Sequence, residues 1–347
     1  MSELLRAGLP LLPMTTSVGY RSTILNDSER GRVLAVDIWY PSERADEPLA
    51  EYELLPGVAF AAHACTDAVP VARPVPVVVI SHGRTGTRRQ YAMLCEGLAA
   101  RGYAVIASDH PGDTMMDWLA GTAVDDQTNE LQRAGDIEFL VATLNDRAAP
   151  FLAGLSLDLD RFGVVGHSYG ANTALRYAGT RQSNIRVRAV AGLQPFTRTV
   201  PADVLRSIHS PVLLIAGAQD QTTPPASDVD RAYEILVAAS ANVTRVDIDH
   251  AGHQACSDVG LYGELAPLVT GLPDSIRDYV VSLTSDVTGT VGDPWRPTVA
   301  SNLEALAAWL DVMFDRDVET RRTELAMLSK RRGIVLRSTD LSLAFDG

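Results

Sequence analysis

A serine framed by two glycines constrains this chain more than any other feature of its sequence. Ser168 lies in the run Gly-His-Ser-Tyr-Gly at 166–170, after the apolar run 162–166 and before the amphipathic segment 168–178. A strand that turns sharply into a helix needs glycine wherever a Cβ would meet the neighbouring backbone. Such a turn also presents the serine hydroxyl to a base and to a substrate. The pattern therefore predicts a strand, a tight turn and a helix, with Ser168 as a nucleophile.

Short β-branched apolar runs alternate with longer amphipathic runs along the rest of the chain. Strands are predicted at Arg32–Tyr40, Val75–Ser81, Ala104–Ser108, Phe162–Gly166, Val187–Leu193, Val212–Ala216 and Val243–Ile248. Helices are predicted at 87–101, 128–145, 168–178, 226–239 and 299–314. This order is typical of a mostly parallel sheet flanked by helices, so the predicted fold class is α/β.

Three segments do not fit this alternation. Residues 41–74, rich in Pro, Ala and acidic residues, are predicted to form a long connection with little regular structure. Residues 255–297 form an insertion before the last long helix that is too long for an ordinary connection, so we expect a lid or side wall. The prediction is one catalytic domain at 1–317 followed by a basic tail at 318–347. The tail is either a solvated helix or a subunit contact that forms a homo-oligomer.

Charge and cysteine content exclude several classes of function. The net charge is −13, whereas binding to nucleic acid depends on clusters of Lys and Arg. Cys65, Cys95 and Cys256 have neither the even count of a disulfide framework nor the paired spacing of a zinc site. Prolines and an arginine interrupt the apolar residues at 4–13, and no later run reaches the ~20 apolar residues of a membrane span. We expect a cytoplasmic protein with no nucleic-acid partner, membrane span or metal.

Candidate partners for Ser168 follow it along the chain. In enzymes with this kind of nucleophile turn, an acid and then a histidine follow the serine. Asp220 comes directly after the predicted strand at 212–216, and the sequence Asp-His-Ala-Gly-His at 249–253 comes directly after the strand at 243–248. Both loops open at the edge of the sheet that also carries Ser168. Asp220 is therefore the predicted acid, with a surface carboxylate in a turn as the alternative.

The choice of base lies between His250 and His253. Gly252 gives its loop the freedom to turn the next side chain inward, and the longer offset from the strand suits a side chain that reaches Ser168. We predict His253 as the base and His250 as a loop or pocket residue. The other histidines fit less well because of their positions in the chain. They are His63, His82, His110, His167 and His209.

A second loop supplies candidates for stabilising a developing negative charge. The strand at 75–81 ends in Ser-His-Gly-Arg and leads through a loop into a helix. Such a loop offers one backbone N–H to a tetrahedral intermediate, and the residue after the nucleophile offers the other. The predicted donors of this oxyanion hole are the backbone N–H groups of Arg84 and Tyr169.

With these residues assigned, the chain resembles the dienelactone hydrolase and platelet-activating-factor acetylhydrolase branch of the α/β-hydrolases, and is similar to bacterial cutinase-type polyester hydrolases. The motifs that carry the resemblance are Ile-Trp-Tyr-Pro at 38–41, Ser-His-Gly-Arg at 81–84, the run 98–112, and the segments at Ser168, Asp220 and His253. The resemblance implies an α/β-hydrolase fold and hydrolysis of carboxylic esters through an acyl-enzyme, without metal or organic cofactor.

The chain departs from this branch in two places. Acetylhydrolases of the plasma type carry their acid where this chain has Leu-Gln-Pro at 193–195, which favours Asp220 and loosens the link to phospholipid substrates. Dienelactone hydrolases proper use cysteine as nucleophile, whereas this chain has Ser168.

The sequence therefore predicts a serine hydrolase that cleaves a small ester or lactone. An amidase or an acyl transferase would use the same residues, and a ligand-binding member of the fold without catalysis is a further alternative. Apolar residues at 261–273 and 293–297 suggest an acyl pocket under the insertion, or contacts that pack the insertion onto the body.

Overall fold

One mixed sheet runs through the molecule. This computed structural model describes residues 16–44, 48–55, 58–146, 149–180, 184–269, 272–290 and 294–339. Its strands are β1 Ser17–Asp27, β2 Arg32–Ser42, β3 Leu49–Leu55, β4 Val58–Thr66, β5 Val75–Ser81, β6 Ala104–Ser108, β7 Leu157–His167, β8 Val187–Leu193, β9 Val212–Gly217, β10 Val243–Ile248 and β11 Ile334–Ser338. Residues 1–15, which include the interrupted apolar residues at 4–13, lie outside the described residues, as do 340–347 of the tail.

Helices connect and cover these strands. They are α1 Ala92–Ala100, α2 Met115–Ala120, α3 Asp126–Asn145, α4 Tyr169–Thr180, α5 Ala202–Arg206, α6 Val229–Ala238, α7 Val259–Leu265, α8 Asp274–Leu283, α9 Ser285–Thr288, α10 Trp295–Met313 and α11 Val318–Ser329. Among the described residues, no helix is both long enough and apolar enough to cross a membrane.

The strand order is β11-β10-β9-β8-β7-β5-β6-β2-β1-β4-β3. Six neighbouring strands of this order are mutually parallel, namely β10, β9, β8, β7, β5 and β6. Strands β11 and β2 pair antiparallel with the two ends of this group. The parallel strands therefore end at a common edge, where β5, β7, β9 and β10 lead into the loops of the candidate site. The predicted α/β class with a mostly parallel sheet is confirmed.

Two apolar layers sandwich the parallel strands. Every residue of β5 is buried, with Val77 and Val79 facing one layer and Val78 and Ile80 facing the other. Helices α1 and α10 cover one face of the sheet, and α3, α4 and α6 cover the other. Each fully buried valine contributes about 2 kcal/mol to stability relative to an exposed one. The central strands thus form a rigid base for the loops at their carboxyl ends.

The prediction of little regular structure at 41–74 is wrong. In strand β3 the buried residues Ala50 and Tyr52 alternate with the exposed residues Glu51 and Glu53, as in a strand with one solvated face. Strand β4 pairs antiparallel with β3 and parallel with β1. The prediction failed because these strands contain few β-branched residues, and their pairing depends on contacts with a distant part of the sheet.

The predicted helix at 87–101 is shorter than expected, because α1 begins only at Ala92. Asp109 accepts a hydrogen bond of 2.7 Å from the backbone N–H of Arg88, and Asp37 accepts one of 2.9 Å from Nε of Arg89. These contacts hold the residues before α1 in a turn, since their N–H groups and side chains already have partners outside a helix.

The segment 318–339 is part of the sheet layer. Strand β11 pairs antiparallel with β10, and α11 packs through the buried Leu325 and Leu328. The basic side chains of the segment pair with acidic residues of the body: Arg321 Nε lies 3.1 Å from Asp311, and Arg337 lies 2.9 Å from Asp247. Much of the local positive charge is therefore compensated within the chain. The division into domains and the homo-oligomer stay predictions.

Candidate active site

Ser168 lies on a strained turn between β7 and α4. Its φ is 53°, in the left-handed region that a residue with a side chain rarely adopts. A Cβ on Gly166 would lie 2.0 Å from the carbonyl oxygen of Gly170, and a Cβ on Gly170 would lie 2.0 Å from that of Ser81. Both positions accept only glycine, because backbone atoms cannot yield as a flexible side chain would. The turn has the geometry that the glycine pattern predicted.

The structure brings Ser168, His253 and Asp220 together in one hydrogen-bonded line. His253 Nε2 lies 2.9 Å from Ser168 Oγ, and His253 Nδ1 lies 2.9 Å from Asp220 Oδ2. Ser168 and His253 are each 7% exposed, and Asp220 is 1% exposed. A carboxylate that accepts from Nδ1–H leaves Nε2 free to take the serine proton, so the arrangement has the chemistry of a nucleophile with its base and orienting acid.

Asp220 is held as a carboxylate by the residues that follow it. Its Oδ1 accepts from the backbone N–H groups of Thr222 (2.9 Å) and Thr223 (2.8 Å). Its Oδ2 accepts from the Thr223 hydroxyl at 2.7 Å. Burial alone would raise the pKa of Asp220, but the hydrogen bonds from His253 and Thr223 and the interaction with the imidazole outweigh it and hold the pKa below its ordinary value. The carboxylate is therefore ionised over the physiological range.

His250 does not take part in this line. Its side chain is exposed at the surface, whereas His253 turns inward after the Ala251–Gly252 backbone. A Cβ on Gly252 would lie 2.2 Å from the carbonyl oxygen of Asp286. Only glycine therefore lets the loop pass close enough to that backbone for His253 to reach Ser168.

His167 fixes the loop that carries His253. Its Nε2–H donates to the carbonyl oxygen of His253 at 2.7 Å, and its Nδ1 accepts from the Tyr91 hydroxyl at 2.7 Å. The Tyr91 oxygen accepts in turn from Gly83 N–H at 3.1 Å. Burial, followed by repulsion from His253, lowers the pKa of His167 to about 3, so this ring is neutral. The chain of bonds connects the His253 loop to the loop after β5.

Replacing His167 with glutamine is expected to flatten the acid side of the stability profile. Between pH 6.5 and pH 3 the unfolded chain binds a proton at His167 that the folded chain does not, so the wild type loses up to about 1.4 kcal/mol per pH unit from this group. The glutamine variant lacks that contribution. Urea unfolding from pH 7 to pH 4 measures both slopes, and equal slopes would show that His167 is not held neutral.

A second Ser–His–Asp set lies beneath the site. Ser81 Oγ is 2.9 Å from His110 Nε2, and His110 Nδ1 is 2.9 Å from Asp136 Oδ2. None of the three residues has exposed surface, so no carbonyl reaches Ser81 without displacement of β5. Arg32 also binds Asp136 through two hydrogen bonds of 2.7 Å. This set therefore stabilises β5. Ser168 differs from Ser81 in having exposed surface that a substrate can reach.

The predicted oxyanion donors lie beside the nucleophile. A Cβ on Gly83 would lie 3.4 Å from Ser168 Cβ, which places the peptide between Gly83 and Arg84 next to the serine. Tyr169 is the first residue of α4, where backbone N–H groups have no partner within the helix. Within the described part of the chain, neither the Arg84 nor the Tyr169 N–H has a hydrogen-bond acceptor. The Arg84 side chain pairs instead with Asp126 at the surface.

A largely apolar cavity of about 440 Å³ begins next to these donors. Arg84, Thr85 and Gln254 are among the residues that line it, together with side chains of β4, α2, α7 and α8. Trp118 and Tyr279 stack across it with ring centroids 6.3 Å apart, and about half of each side chain is exposed. Within 261–273, Leu265, Val269 and Leu272 line the cavity, whereas Leu261 packs into the core. The insertion therefore both packs on the body and lines a cavity.

Three polar residues of this region were missed in the sequence. Thr223 and His167 support the acid and the base, and Arg133 binds the loop after β5. The run Asp-Gln-Thr-Thr at 220–223 does carry a local signal, since an aspartate often accepts from the N–H two residues later in a turn. Arg133 lies 50 residues from the loop that it binds, so no local pattern reveals its role.

Comparison with known proteins identifies a family and relatives of this chain. A family model described as PET hydrolase-like matches residues 63–263. Over 178 residues the chain is 29% identical to the cutinase est1 of Thermobifida alba, a match that covers 51% of this chain and 53% of that protein. It is 26% identical over 196 residues to a Yersinia pestis protein described as a carboxymethylenebutenolidase, with 53% and 70% covered. The chain thus spans about half the length of the cutinase.

One solved structure covers nearly the whole chain. A ferulic acid esterase from Streptomyces cinnamoneus superposes with a TM-score of 0.66 over 96% of this chain and 98% of its own, at 24% sequence identity. That likeness shows a common fold.

Proposed function

Because the chain belongs to the PET hydrolase-like family of α/β-hydrolases, we propose that it is a serine hydrolase that cleaves carboxylic esters. The observation that carries the proposal is the line of hydrogen bonds from Asp220 through His253 to Ser168. Two N–H groups for which the described residues provide no acceptor flank this line, and Arg84, which carries one of them, also lines the apolar cavity. Each component of acyl transfer by a serine thus has a candidate residue.

Acylation begins when Ser168 Oγ attacks the carbonyl carbon of the ester. His253 Nε2 takes the hydroxyl proton as the C–O bond forms, and Asp220 stabilises the imidazolium through Nδ1–H. The carbonyl oxygen becomes an oxyanion that accepts from the backbone N–H groups of Arg84 and Tyr169. The N-terminal end of α4 adds its positive dipole on the same side. His253 then gives the proton to the departing alkoxide, and the alcohol leaves an acyl group on Ser168.

Deacylation repeats these steps with water. His253 takes a proton from water as the water oxygen attacks the acyl carbon, and the same N–H groups hold the second oxyanion. The C–O bond to Ser168 breaks, the proton returns to Oγ, and the acid is released. Every proton is carried by His253, so the proposed cycle needs no cofactor.

The names of the relatives favour esters over the alternatives. Two of those relatives are a cutinase and a protein described as a carboxymethylenebutenolidase. Both names denote hydrolysis of an ester or lactone, in which a C–O bond is cleaved. An amidase or an acyl transferase would use the same three residues and differ only in the acceptor or leaving group. The cytoplasmic location stays a prediction.

We expect p-nitrophenyl esters to be hydrolysed, with a preference for acyl chains longer than acetyl. The apolar cavity would bury additional methylene groups of the substrate, each contributing about 0.8 kcal/mol at full burial. A panel from acetate to decanoate, with matched anilides and lactones and a Ser168→Ala blank, measures kcat/KM for each class. No hydrolysis above the blank for any ester would contradict the proposed function.

The Trp118→Ala variant serves as the specificity control for this panel. Trp118 lines the cavity, whose lining does not include Ser168, His253 or Asp220, so the variant should keep the acetate rate and lose part of the preference for long chains. An unchanged chain-length profile would place the acyl group elsewhere.

A further inference from the structure

We propose that Arg133 is a positioning residue for the oxyanion hole, which orients and polarises the peptide group between Gly83 and Arg84. This inference rests on the proposed function, because it concerns the N–H group that would hold the oxyanion. Arg133 lies on α3, and its side chain is completely buried. It would act through the backbone without touching the substrate.

Arg133 directs its guanidinium at two consecutive carbonyl groups of the loop after β5. Its Nη1 donates to the carbonyl oxygen of His82 at 2.6 Å, and its Nη2 donates to that of Gly83 at 3.0 Å. Its counterion is Asp113, which accepts from Nε at 2.9 Å. Asp113 also accepts from the Thr85 N–H at 3.2 Å. The buried ion pair therefore holds the loop on both sides of the Gly83–Arg84 peptide.

The Gly83 carbonyl oxygen accepts from two further donors. His82 Nε2 accepts from the His110 N–H at 3.1 Å, and burial lowers the pKa of His82 well below its ordinary value, so the neutral ring carries its proton on Nδ1. That Nδ1–H donates to the Gly83 oxygen at 2.7 Å. The Gly86 N–H donates to the same oxygen at 3.1 Å and closes a turn. The orientation of this carbonyl is thus fixed from several directions.

Fixing the carbonyl also fixes the N–H of Arg84. The described chain contains no cis peptide bond, and in a planar trans peptide the C=O and N–H groups point in opposite directions. With the oxygen of Gly83 turned toward Arg133, the N–H of Arg84 points away from Arg133. A cation at the oxygen draws electron density from the amide, so the N–H becomes a stronger donor.

Arg133 also contacts the residue that provides the second donor. Its guanidinium lies 5.2 Å from the centre of the Tyr169 ring. The same ring stacks on Phe196, with the two ring centroids 5.6 Å apart. One buried cation therefore contacts the peptide group that carries the Arg84 N–H and the side chain of Tyr169, the residue with the second predicted donor. Burying an arginine is costly unless its donors are all used, and here two of its hydrogen bonds go to the backbone of this one loop.

The test compares oxygen and sulfur at the reacting carbonyl in wild type, Arg133→Met and Arg133→Gln. Sulfur accepts hydrogen bonds weakly, so a thionoester gains little from a well-aligned N–H. We expect kcat for a p-nitrophenyl ester to fall about 10- to 100-fold in both variants, a part of the 10²–10³ attributed to a whole oxyanion donor. The thionoester rate should fall less than about threefold, and KM should stay within about twofold, since the ground-state carbonyl gains little from these donors.

Arg245→Met is the matched control. Arg245 is also an arginine with little exposure, and it pairs with Asp230 of α6 and Asp247 of β10, not with the loop after β5. Its loss should lower stability comparably and leave the ratio of ester to thionoester rates unchanged. Circular dichroism and thermal melting establish which variants fold.

Four outcomes decide between the two proposals. A smaller ratio of ester to thionoester rates in a folded Arg133 variant, with the Arg245 ratio unchanged, supports the inference. An unchanged ratio, or equal losses for both substrates, overturns it and leaves the proposed function intact. Failure of both Arg133 variants to fold also overturns it, because Arg133 would then serve the fold itself. Absence of Ser168-dependent hydrolysis in the wild type would overturn the proposed function instead.

Discussion

Replacing Ser168 with alanine is expected to lower kcat for an ester by about 10⁴- to 10⁶-fold. The loss is this large because the hydroxyl forms the covalent bond, and no neighbouring group can replace it. His253 would still be 7% exposed beside the oxyanion donors, so a small residual rate through direct attack of water is consistent with the mechanism. Initial rates with p-nitrophenyl butyrate, measured over several enzyme preparations, give the size of the loss.

Ser81→Ala is the matched control for this variant. Ser81 has the same pair of partner types, His110 and Asp136, but lies buried in β5. Its replacement should leave kcat within about tenfold of the wild type, since it removes only two buried hydrogen bonds, with His110 and with Arg133, each worth about 1 kcal/mol of stability. The reverse ranking of the two serines would contradict the assignment of Ser168.

Asp220→Asn is expected to lower kcat by about 10⁴-fold with little change in the fold. The amide oxygen should take the place of Oδ1, because the N–H groups of Thr222 and Thr223 require an acceptor there. The NH₂ group then faces His253 Nδ1, which has to become an acceptor. The proton moves to Nε2, toward Ser168, and the imidazole can no longer act as a base. The N–H groups of Thr222 and Thr223 thus impose on His253 the tautomer that cannot accept the serine proton.

Asp249→Asn tests whether charge alone explains such a loss. Asp249 lies in the loop of His253, with an exposed side chain, so its replacement changes the net charge equally and should leave kcat within about twofold, as for a screened surface charge. Rates from pH 5 to pH 9 for both variants separate the effects. An Asp220→Asn variant that keeps more than a tenth of wild-type activity would show that the carboxylate does not orient the base.

The arrangement at Ser168 was readable from the sequence because its constraints are local. Gly166 and Gly170 are required because a Cβ at either position would lie 2.0 Å from a backbone oxygen, and this requirement leaves a recognisable spacing in the sequence. Asp220 and His253 could be found because each follows an apolar strand, and parallel strands carry such loops to one edge of the sheet. Strand and loop order therefore predicted a contact between residues 85 positions apart.

The supporting residues could not be predicted in the same way. Arg133 donates to a backbone carbonyl group 50 residues away, and the sequence of a helix does not distinguish a buried arginine from an exposed one. The edge strands β3 and β11 were also missed, since these short strands gain stability only from a neighbour formed elsewhere in the chain. These strands form because of pairing with distant segments, and the periodicity of residues within a segment does not predict such pairing.

Covalent labelling tests the central assignment most directly. A fluorophosphonate reacts with a serine only when a base activates the hydroxyl and donors hold the phosphoryl oxygen. After incubation of the folded protein, intact-mass analysis and peptide mapping should show one adduct, located on Ser168 and absent from the Ser168→Ala variant. An unmodified protein, or an adduct on a different serine, would contradict the assignment of Ser168 as the nucleophile.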